Sequence, residues 1–181
     1  MTTRDTAQIA LFAALFAVLG LMPAIALPVL PVPITMQSMG AMLAGAILGP
    51  RRGALAVVLF VVLVAAGFPL LAGGRGGLAV FAGPTAGYIV GWCAGAATTG
   101  WLVQRMWQRL NLGRAILATA IGGILVVYAI GVPWMAAIAG LPLGKAILGS
   151  AVFLPGDLIK ATLAASVAVT VKRGYPLIRP V

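Results

Sequence analysis

The sequence predicts an all-α membrane protein that folds as a compact bundle of six transmembrane helices. Of its 181 residues, 62% are hydrophobic and 8% are charged, and the mean hydropathy is +1.15. Soluble domains contain about 45–50% apolar and about 25% charged residues. Several apolar runs of about 20 residues, separated by short basic or Gly/Pro-rich breaks, cannot all be buried inside so small a globule. We therefore expect residues 1–181 to form a single membrane domain.

The charge balance is strongly basic. The formal net charge is +10, the sequence has no His, and its acidic residues are Asp5 and Asp157. In a soluble protein such a charge would suggest nucleic-acid binding. Beside apolar spans, Lys and Arg instead set topology and contact anionic lipid. We expect the lipid bilayer, and no nucleic acid, as a partner.

The composition leaves few side chains for catalysis. Without His, and with two carboxylates far apart and one cysteine, Cys93, the chain cannot assemble a Ser-His-Asp triad or a Cys/His metal site. The P-loop pattern G-x-x-x-x-G-K-[ST] is absent as well. We expect no catalytic residue and no metal, so the protein is predicted not to be an enzyme.

The first span follows a short polar start. Residues 24–26, Ala-Ile-Ala, imitate a signal-peptidase site, but we interpret the run before them as a retained first helix because the chain supplies its own further spans. This helix contains two small-xxx-small pairs, which let another helix approach closely in lipid. The pairs are formed by Ala10, Ala13, Ala14 and Ala17.

Two Pro-rich or mixed connections interrupt the pattern. Residues 23–33 contain four prolines, which predicts an extended connection lying against the protein. The second helix, at about 15 residues and about 22 Å, is shorter than a bilayer core of about 30 Å. Part of the Pro-rich connection should complete that crossing.

Residues 133–150 are expected to form a connection that contains a short helix. The six predicted spans cover about residues 6–22, 35–49, 53–71, 84–104, 115–132 and 155–172.

The positions of Lys and Arg predict the orientation. With six spans, nine cations lie on the side of both termini, and two, Arg75 and Lys145, lie on the other side. The positive-inside rule therefore predicts cytoplasmic termini. The nine are Arg4, Arg51, Arg52, Arg105, Arg109, Arg114, Lys172, Arg173 and Arg179.

An acid and a base lie within the last span. Pro155 should begin this helix at the outer side, with Asp157 in its first turn, where the helix dipole favours an anion. Lys160 should follow one turn deeper on the same face. Ionisable residues at mid-membrane cost about 2.5–3.5 kcal/mol and often serve function. The residues themselves allow either a structural ion pair or a site for a neutral polar ligand; three irregular connections on the same side favour the ligand site.

Five motifs, in order along nearly the whole chain, together resemble the BioY family, the S components of energy-coupling-factor (ECF) biotin transporters. They are PVPITMQ at 31–37, LGPRRG at 48–53, GGRGG at 73–77, GPTAGY at 83–88 and FLPGDLIK at 153–160. The resemblance implies a bundle of the ECF S-component type in the bacterial plasma (inner) membrane. It also implies a high-affinity biotin-binding and transport subunit that captures biotin at the outer face.

The resemblance further implies partners and residue roles. The partners would be a transmembrane coupling protein (T component) and two cytoplasmic ABC-type ATPases, with biotin as the transported ligand and no cofactor. Asp157 would accept the N–H of the ureido ring, and Lys160 would donate to its carbonyl. Tyr88 or Trp92 would pack on the bicycle or the tail of biotin.

Further assignments complete the expected binding and docking sites. Arg75 is our candidate for the biotin carboxylate, on charge and side; the alternative is an exposed loop charge. The matched motifs also contribute Thr35, Gln37 and Gly76 to the expected binding site. The small residues Ala10, Ala13, Ala14 and Ala17 resemble the alanine motif with which S components dock on the coupling protein.

Two other functions are consistent with a small membrane bundle. A self-sufficient carrier or a small channel would move solute without ATPase partners, and an internal repeat would support it; we find no convincing repeat. An intramembrane enzyme would need a catalytic constellation that this composition does not supply.

Overall fold

A computed structural model describes residues 1–28, 30–175 and 177–178, so Arg179, one of the cations used to predict the orientation, lies outside the described residues. Six helical segments form a membrane bundle, and a short β-hairpin connects the first two. Two segments, Leu112–Ala139 and Leu143–Gly174, are long and apolar enough by themselves to cross a bilayer.

Helix α1 covers Thr3–Gly20 and begins with a capping box. The Thr2 hydroxyl accepts a hydrogen bond from the Asp5 backbone N–H at 3.2 Å, and the Asp5 carboxylate accepts one from the Thr2 backbone N–H at 2.9 Å. This arrangement satisfies two backbone donors that would otherwise lack partners at the helix start. It explains why a polar start of only a few residues is sufficient to begin an apolar helix.

The Pro-rich connection is extended, and its two halves pair with each other. Strand β1, Ile25–Leu27, lies antiparallel to strand β2, Leu30–Ile34, with Ile25 opposite Ile34 and Leu27 opposite Leu30. The sequence predicted an extended connection but not this pairing. Prolines are tolerated in β2 because each strand of a two-stranded sheet has a free edge, where no N–H is required.

Helices α2, Gln37–Leu48, and α3, Pro50–Ala65, are joined by a single residue. Gly49 has φ of 83°, a conformation that favours glycine, and Pro50 occupies the start of α3. The third helix therefore begins before the predicted residue 53, because Pro50 starts the new helix as well as stopping the old one.

Helix α4 covers Ala86–Arg105 and lies at the centre of the bundle, where it packs against α2, α3 and the fifth segment. A short 3₁₀ turn, Leu78–Ala82, precedes it in the loop that follows α3. Small residues permit close contact: a Cβ added to Gly45 of α2 would clash with the backbone oxygen of Ala96 on α4. Such close approach is the usual way in which helices associate in lipid.

The fifth segment is one continuous helical stretch. Helix α5, Leu112–Ala120, continues through a π-helical turn, Ile121–Val126, into α6, Val127–Ala139. The prediction that Pro133 opens a connection was wrong, since the helix continues past it to Ala139. In a membrane bundle, neighbouring groups and local adjustments of the helix can compensate for the hydrogen bond that proline removes.

The last segment begins with helix α7, Leu143–Ser150, and a 3₁₀ turn, Ala151–Phe153, and continues as α8, Leu154–Gly174. Helix α8 packs against α2 and α5, and α7 contacts β2. The hairpin and the start of α8 therefore lie at the same end of the bundle.

Candidate functional site

A pocket opens where the β-hairpin meets the start of α8. It has an empty volume of about 440 Å³, part of which is open to the surroundings. Elements far apart in the chain build it: β2, α2, α4, the π-helical turn with α6, and α8. Its lining residues are Val32, Pro33, Ile34, Thr35, Ser38, Tyr88, Trp92, Gly123, Val127, Tyr128, Phe153, Asp157 and Lys160.

The charged pair of α8 lies in this pocket. Lys160 Nζ is 2.8 Å from Asp157 Oδ1, and the two residues are only 5% and 6% exposed. The ammonium also donates to the backbone oxygen of Thr35 at 2.7 Å and to Ser38 Oγ at 3.1 Å. A Lys ammonium has three N–H donors, so these three contacts use all of them.

The carboxylate of Asp157 has acceptor capacity to spare. Oδ1 accepts from Lys160 and from Ser38 Oγ, the latter at 3.3 Å, while Oδ2 accepts from Tyr128 Oη at 2.6 Å. A carboxylate offers about four lone-pair positions, so one on Oδ2 is not used by these contacts. The pair can therefore accept one further N–H directly, whereas a ligand carbonyl has to replace one acceptor of Lys160.

Aromatic rings form the walls beside the pair. The rings of Tyr88 and Tyr128 meet edge to face with centroids 6.2 Å apart, and those of Tyr128 and Phe153 do so at 6.5 Å. Trp92 packs on Phe16 of the core with centroids 5.2 Å apart. The site thus combines a small polar end with apolar walls, the usual composition of a small-molecule site.

Five of the predicted binding residues line the pocket: Asp157, Lys160, Thr35, Tyr88 and Trp92. Gln37 does not. Its side chain is buried and donates to the backbone oxygens of Phe16 at 3.4 Å and Leu70 at 3.0 Å, while its oxygen accepts from Ala72 N at 2.9 Å. The physical reason is helix phase, because successive residues of a helix point about 100° apart and it is Ser38 that faces the pocket.

Arg75 and Gly76 also lie outside the pocket lining. Arg75 is exposed, and its Nε donates to the backbone oxygen of Ala72 at 3.3 Å. The backbone of Gly76 lies directly against that of Phe68, which indicates a packing role for this glycine. Among the described residues, the charged side chains that line the pocket are those of Asp157 and Lys160.

A family model described as the BioY family matches residues 1–177. The chain belongs to the BioY family. It is 52% identical to the "Biotin transporter BioY" of Rhizobium etli over 183 aligned residues that cover 98% of each chain. It is 46% identical to the protein of the same name from Rhodobacter capsulatus, covering 96% of this chain and 95% of that one.

A solved structure has the same fold. The crystal structure of the S-component for biotin from an ECF-type ABC transporter matches with a TM-score of 0.90 and 31% identity, over 96% of this chain and 95% of that one. Agreement at this level over nearly the full length shows that the BioY chain has the ECF S-component type of fold.

Two residues that the sequence did not single out, Tyr128 and Ser38, complete the polar end of the BioY pocket by holding the carboxylate. Phe153, the first residue of the FLPGDLIK motif, contributes a wall. Tyr128 follows an apolar run, and an aromatic residue in such a run is usually a core residue or lies at the membrane interface. The signal available was its hydroxyl, since a phenol within a membrane helix needs a polar partner.

The alanines of α1 divide between two faces. Ala10 and Ala14 are exposed, whereas Ala13 is 3% exposed and Ala17 is half-buried against the bundle. Ala10 and Ala14 are therefore the pair that another protein could contact. They lie on the face of α1 that points away from the bundle, beside exposed Leu11 and Val18.

Proposed function

We propose that this chain is the biotin-binding S component of an ECF-type transporter and captures biotin at the outer face of the bacterial plasma membrane. The observation that carries the proposal is the full-length match to a solved S component for biotin, at a TM-score of 0.90. Relatives named biotin transporters, such as the one at 52% identity, support the same ligand. The role is transport rather than catalysis.

The buried pair recognises the ureido ring of biotin. This ring is neutral, and it carries N–H donors next to a carbonyl acceptor. Asp157 Oδ2 accepts one ureido N–H at the position that Tyr128 leaves unused. Lys160 donates to the ureido carbonyl after exchanging one of its contacts, either Thr35 O or Ser38 Oγ.

This exchange gives selectivity. Each polar group of the pair keeps a partner when the ureido ring is bound, so the ring offsets the contact that it replaces. A ligand without the N–H and C=O pattern would cover the carboxylate and the ammonium with groups that cannot hydrogen-bond to them, and the loss of solvation without a new hydrogen bond is costly. Tyr88 and Trp92 supply apolar walls for the rest of biotin.

Arg75 serves the carboxylate of biotin. It lies three residues beyond Ala72, whose N–H is held by Gln37, and Gln37 precedes the pocket residue Ser38 in α2. Gln37 therefore anchors the loop that carries Arg75 to the start of α2, and Gly76 gives that loop its close packing on Phe68. Arg75 is exposed, so its guanidinium would meet the carboxylate where the tail of biotin leaves the pocket.

The partners are a transmembrane coupling protein and two cytoplasmic ABC-type ATPases. The sequence lacks a P-loop, so energy from ATP has to come from other chains. The exposed Ala10 and Ala14 of α1 provide a flat surface on which a helix of the coupling protein docks. Both termini lie in the cytoplasm, on the side that carries most of the Lys and Arg.

Biotin itself provides the direct test of ligand identity. The chain, purified in detergent from cells grown with biotin, should copurify with it, and added biotin should raise the midpoint of thermal unfolding because it binds only the folded state. Thiamine and riboflavin, added at the same concentration, should leave the midpoint unchanged. A midpoint that does not respond to biotin, together with no copurified biotin, would refute the proposed ligand.

A further inference from the structure

A second cavity lies at the other end of α4, far along the chain from the biotin pocket residues of α8. Three arginines surround it together with Met106 and Gln108. Arg105 ends α4, Arg109 lies in the 3₁₀ turn Trp107–Arg109, and Arg114 lies in the first turn of α5. Its empty volume is about 600 Å³, part of which is open to the surroundings. We call these five residues the basic corner.

The positive charge of the basic corner has no acidic partner among the side chains. The sequence contains two acidic residues, and both are paired elsewhere: Asp5 with Arg52 at 3.1 Å and Asp157 with Lys160 at 2.8 Å. The Arg114 guanidinium donates one hydrogen bond to the Arg109 backbone oxygen. Since a guanidinium has five N–H donors, most of the donor capacity of the corner is available to an anion.

The surroundings of the basic corner are those of a membrane boundary. The Arg105 guanidinium lies 5.4 Å from the centroid of the Trp101 ring, and that Trp is 49% exposed. Leu112 and Leu117, on α5, are 46% and 54% exposed. Aromatic rings and cations are enriched at the level of lipid headgroups, and the exposed leucines offer an apolar surface that continues toward the bilayer core.

We propose that the basic corner binds the phosphate group of an anionic phospholipid. Guanidinium groups match the geometry of phosphate oxygens and pair with them through two parallel hydrogen bonds. The exposed apolar side chains beside the cavity favour a phosphate that carries acyl chains over free phosphate. On the proposed orientation, the lipid belongs to the cytoplasmic leaflet, where anionic headgroups attract basic segments.

The test uses the whole chain in a neutral detergent and follows thermal unfolding during titration with lipid. Phosphatidylglycerol should stabilise the wild-type chain, and phosphatidylcholine should not. In the double variant Arg105→Gln/Arg109→Gln, in which both changed residues are exposed, the apparent affinity for phosphatidylglycerol should fall roughly 10- to 30-fold, because each Arg near an anionic surface contributes about a factor of five.

A charge-matched control separates the effect of the basic corner on lipid binding from the effect of net charge. Arg51→Gln/Arg173→Gln removes two exposed cations elsewhere on the chain and should leave the lipid response unchanged. An equal loss in this control, or equal stabilisation by phosphatidylcholine, would overturn the proposal. Inorganic phosphate at the same concentration provides the third arm: if it stabilises the chain as much as the lipid does, the corner is a free-anion site and the lipid assignment is wrong.

Discussion

The polar end of the BioY pocket is held by donors from three different elements. Asp157 on α8 accepts from Lys160 on the same helix, from Ser38 on α2 and from Tyr128 on α6. A buried carboxylate without such partners would be too costly to keep ionised. These contacts therefore stabilise the bundle and also fix the acceptor geometry that a ligand meets.

Tyr128 gives the clearest prediction for a single atom. Tyr128→Phe removes the 2.6 Å hydrogen bond to Asp157 Oδ2. It should weaken biotin binding about tenfold, roughly 1.4 kcal/mol, because the carboxylate loses the contact that fixes Oδ2 as an acceptor. Tyr88→Phe is the matched control, because its hydroxyl contacts Ser150 Oγ at 3.4 Å and not the carboxylate. Isothermal titration that finds the same affinity in both variants would contradict the role given to Tyr128.

Single residues also show how far the sequence alone could lead. Asp157 and Lys160 stand out because charges are rare in an apolar segment and their spacing puts them on one face. Arg75 and Gln37 lie outside the pocket lining, but the sequence contains no comparable signal that distinguishes them from pocket residues. A loop cation has no periodicity to orient it, and Gln37 and Ser38 are adjacent polar residues whose helix phase depends on where α2 begins.

At the level of the helices, close backbone contact organises the bundle. Gly45 on α2 meets the backbone of Ala96 on α4, and α4 in turn packs against α3 and α6. The apolar runs predicted that the helices exist, but they did not predict where the helices begin and end. Pro50 begins α3, whereas Pro133 interrupts nothing, because the effect of a proline depends on whether its neighbours can compensate for the missing N–H.

The contact at Gly45 predicts a stability difference between two glycines. Gly45→Ala should destabilise the bundle by about 1–3 kcal/mol, because the new methyl group overpacks the contact with α4. Gly144→Ala is the control: no atom lies within 4 Å of its added Cβ, so this helix position should be neutral or gain up to about 1 kcal/mol. Thermal unfolding in one detergent compares them, and equal midpoints would argue against the α2–α4 contact.

Gln37 connects α1, α2 and the loop after α3. Gln37→Leu should leave Ala72 N and the backbone oxygen of Leu70 without their partner, costing about 1–3 kcal/mol for each unsatisfied group. The midpoint of thermal unfolding should fall clearly. Thr162→Val serves as the control, because this exposed hydroxyl bonds only within its own helix, to Leu158 O. If Gln37→Leu and Thr162→Val unfold at the same midpoint within error, the hydrogen bonds of Gln37 contribute little to stability.

At the scale of the whole molecule, composition was sufficient to predict a membrane bundle, and the family match agrees with it. The sequence could not predict how the connections between helices meet at the pocket. Strand pairing within residues 25–34 and the contact of α7 with β2 depend on tertiary packing, which a local pattern does not contain. The positive-inside count predicts the orientation independently of these contacts.

The orientation can be tested with introduced cysteines. The native thiol is first removed with Cys93→Ser. In that background, Gly144→Cys should react with a membrane-impermeant maleimide in intact cells, because it lies on the predicted outer side. Thr3→Cys is exposed in the structure but should react only after the cells are permeabilised. The reverse labelling pattern would invert the proposed topology and, with it, the outward-facing pocket.

Equilibrium binding of labelled biotin to the purified chain, Asp157→Asn and Lys160→Met tests the central claim most directly. Each variant removes one partner of a buried pair joined at 2.8 Å and should weaken binding by at least about 30-fold, the lower end of what breaking such pairs costs. The wild-type chain and Thr162→Val should bind equally well, and an unchanged elution profile on size exclusion would confirm that the variants are folded. Wild-type affinity in both pair variants would contradict the account.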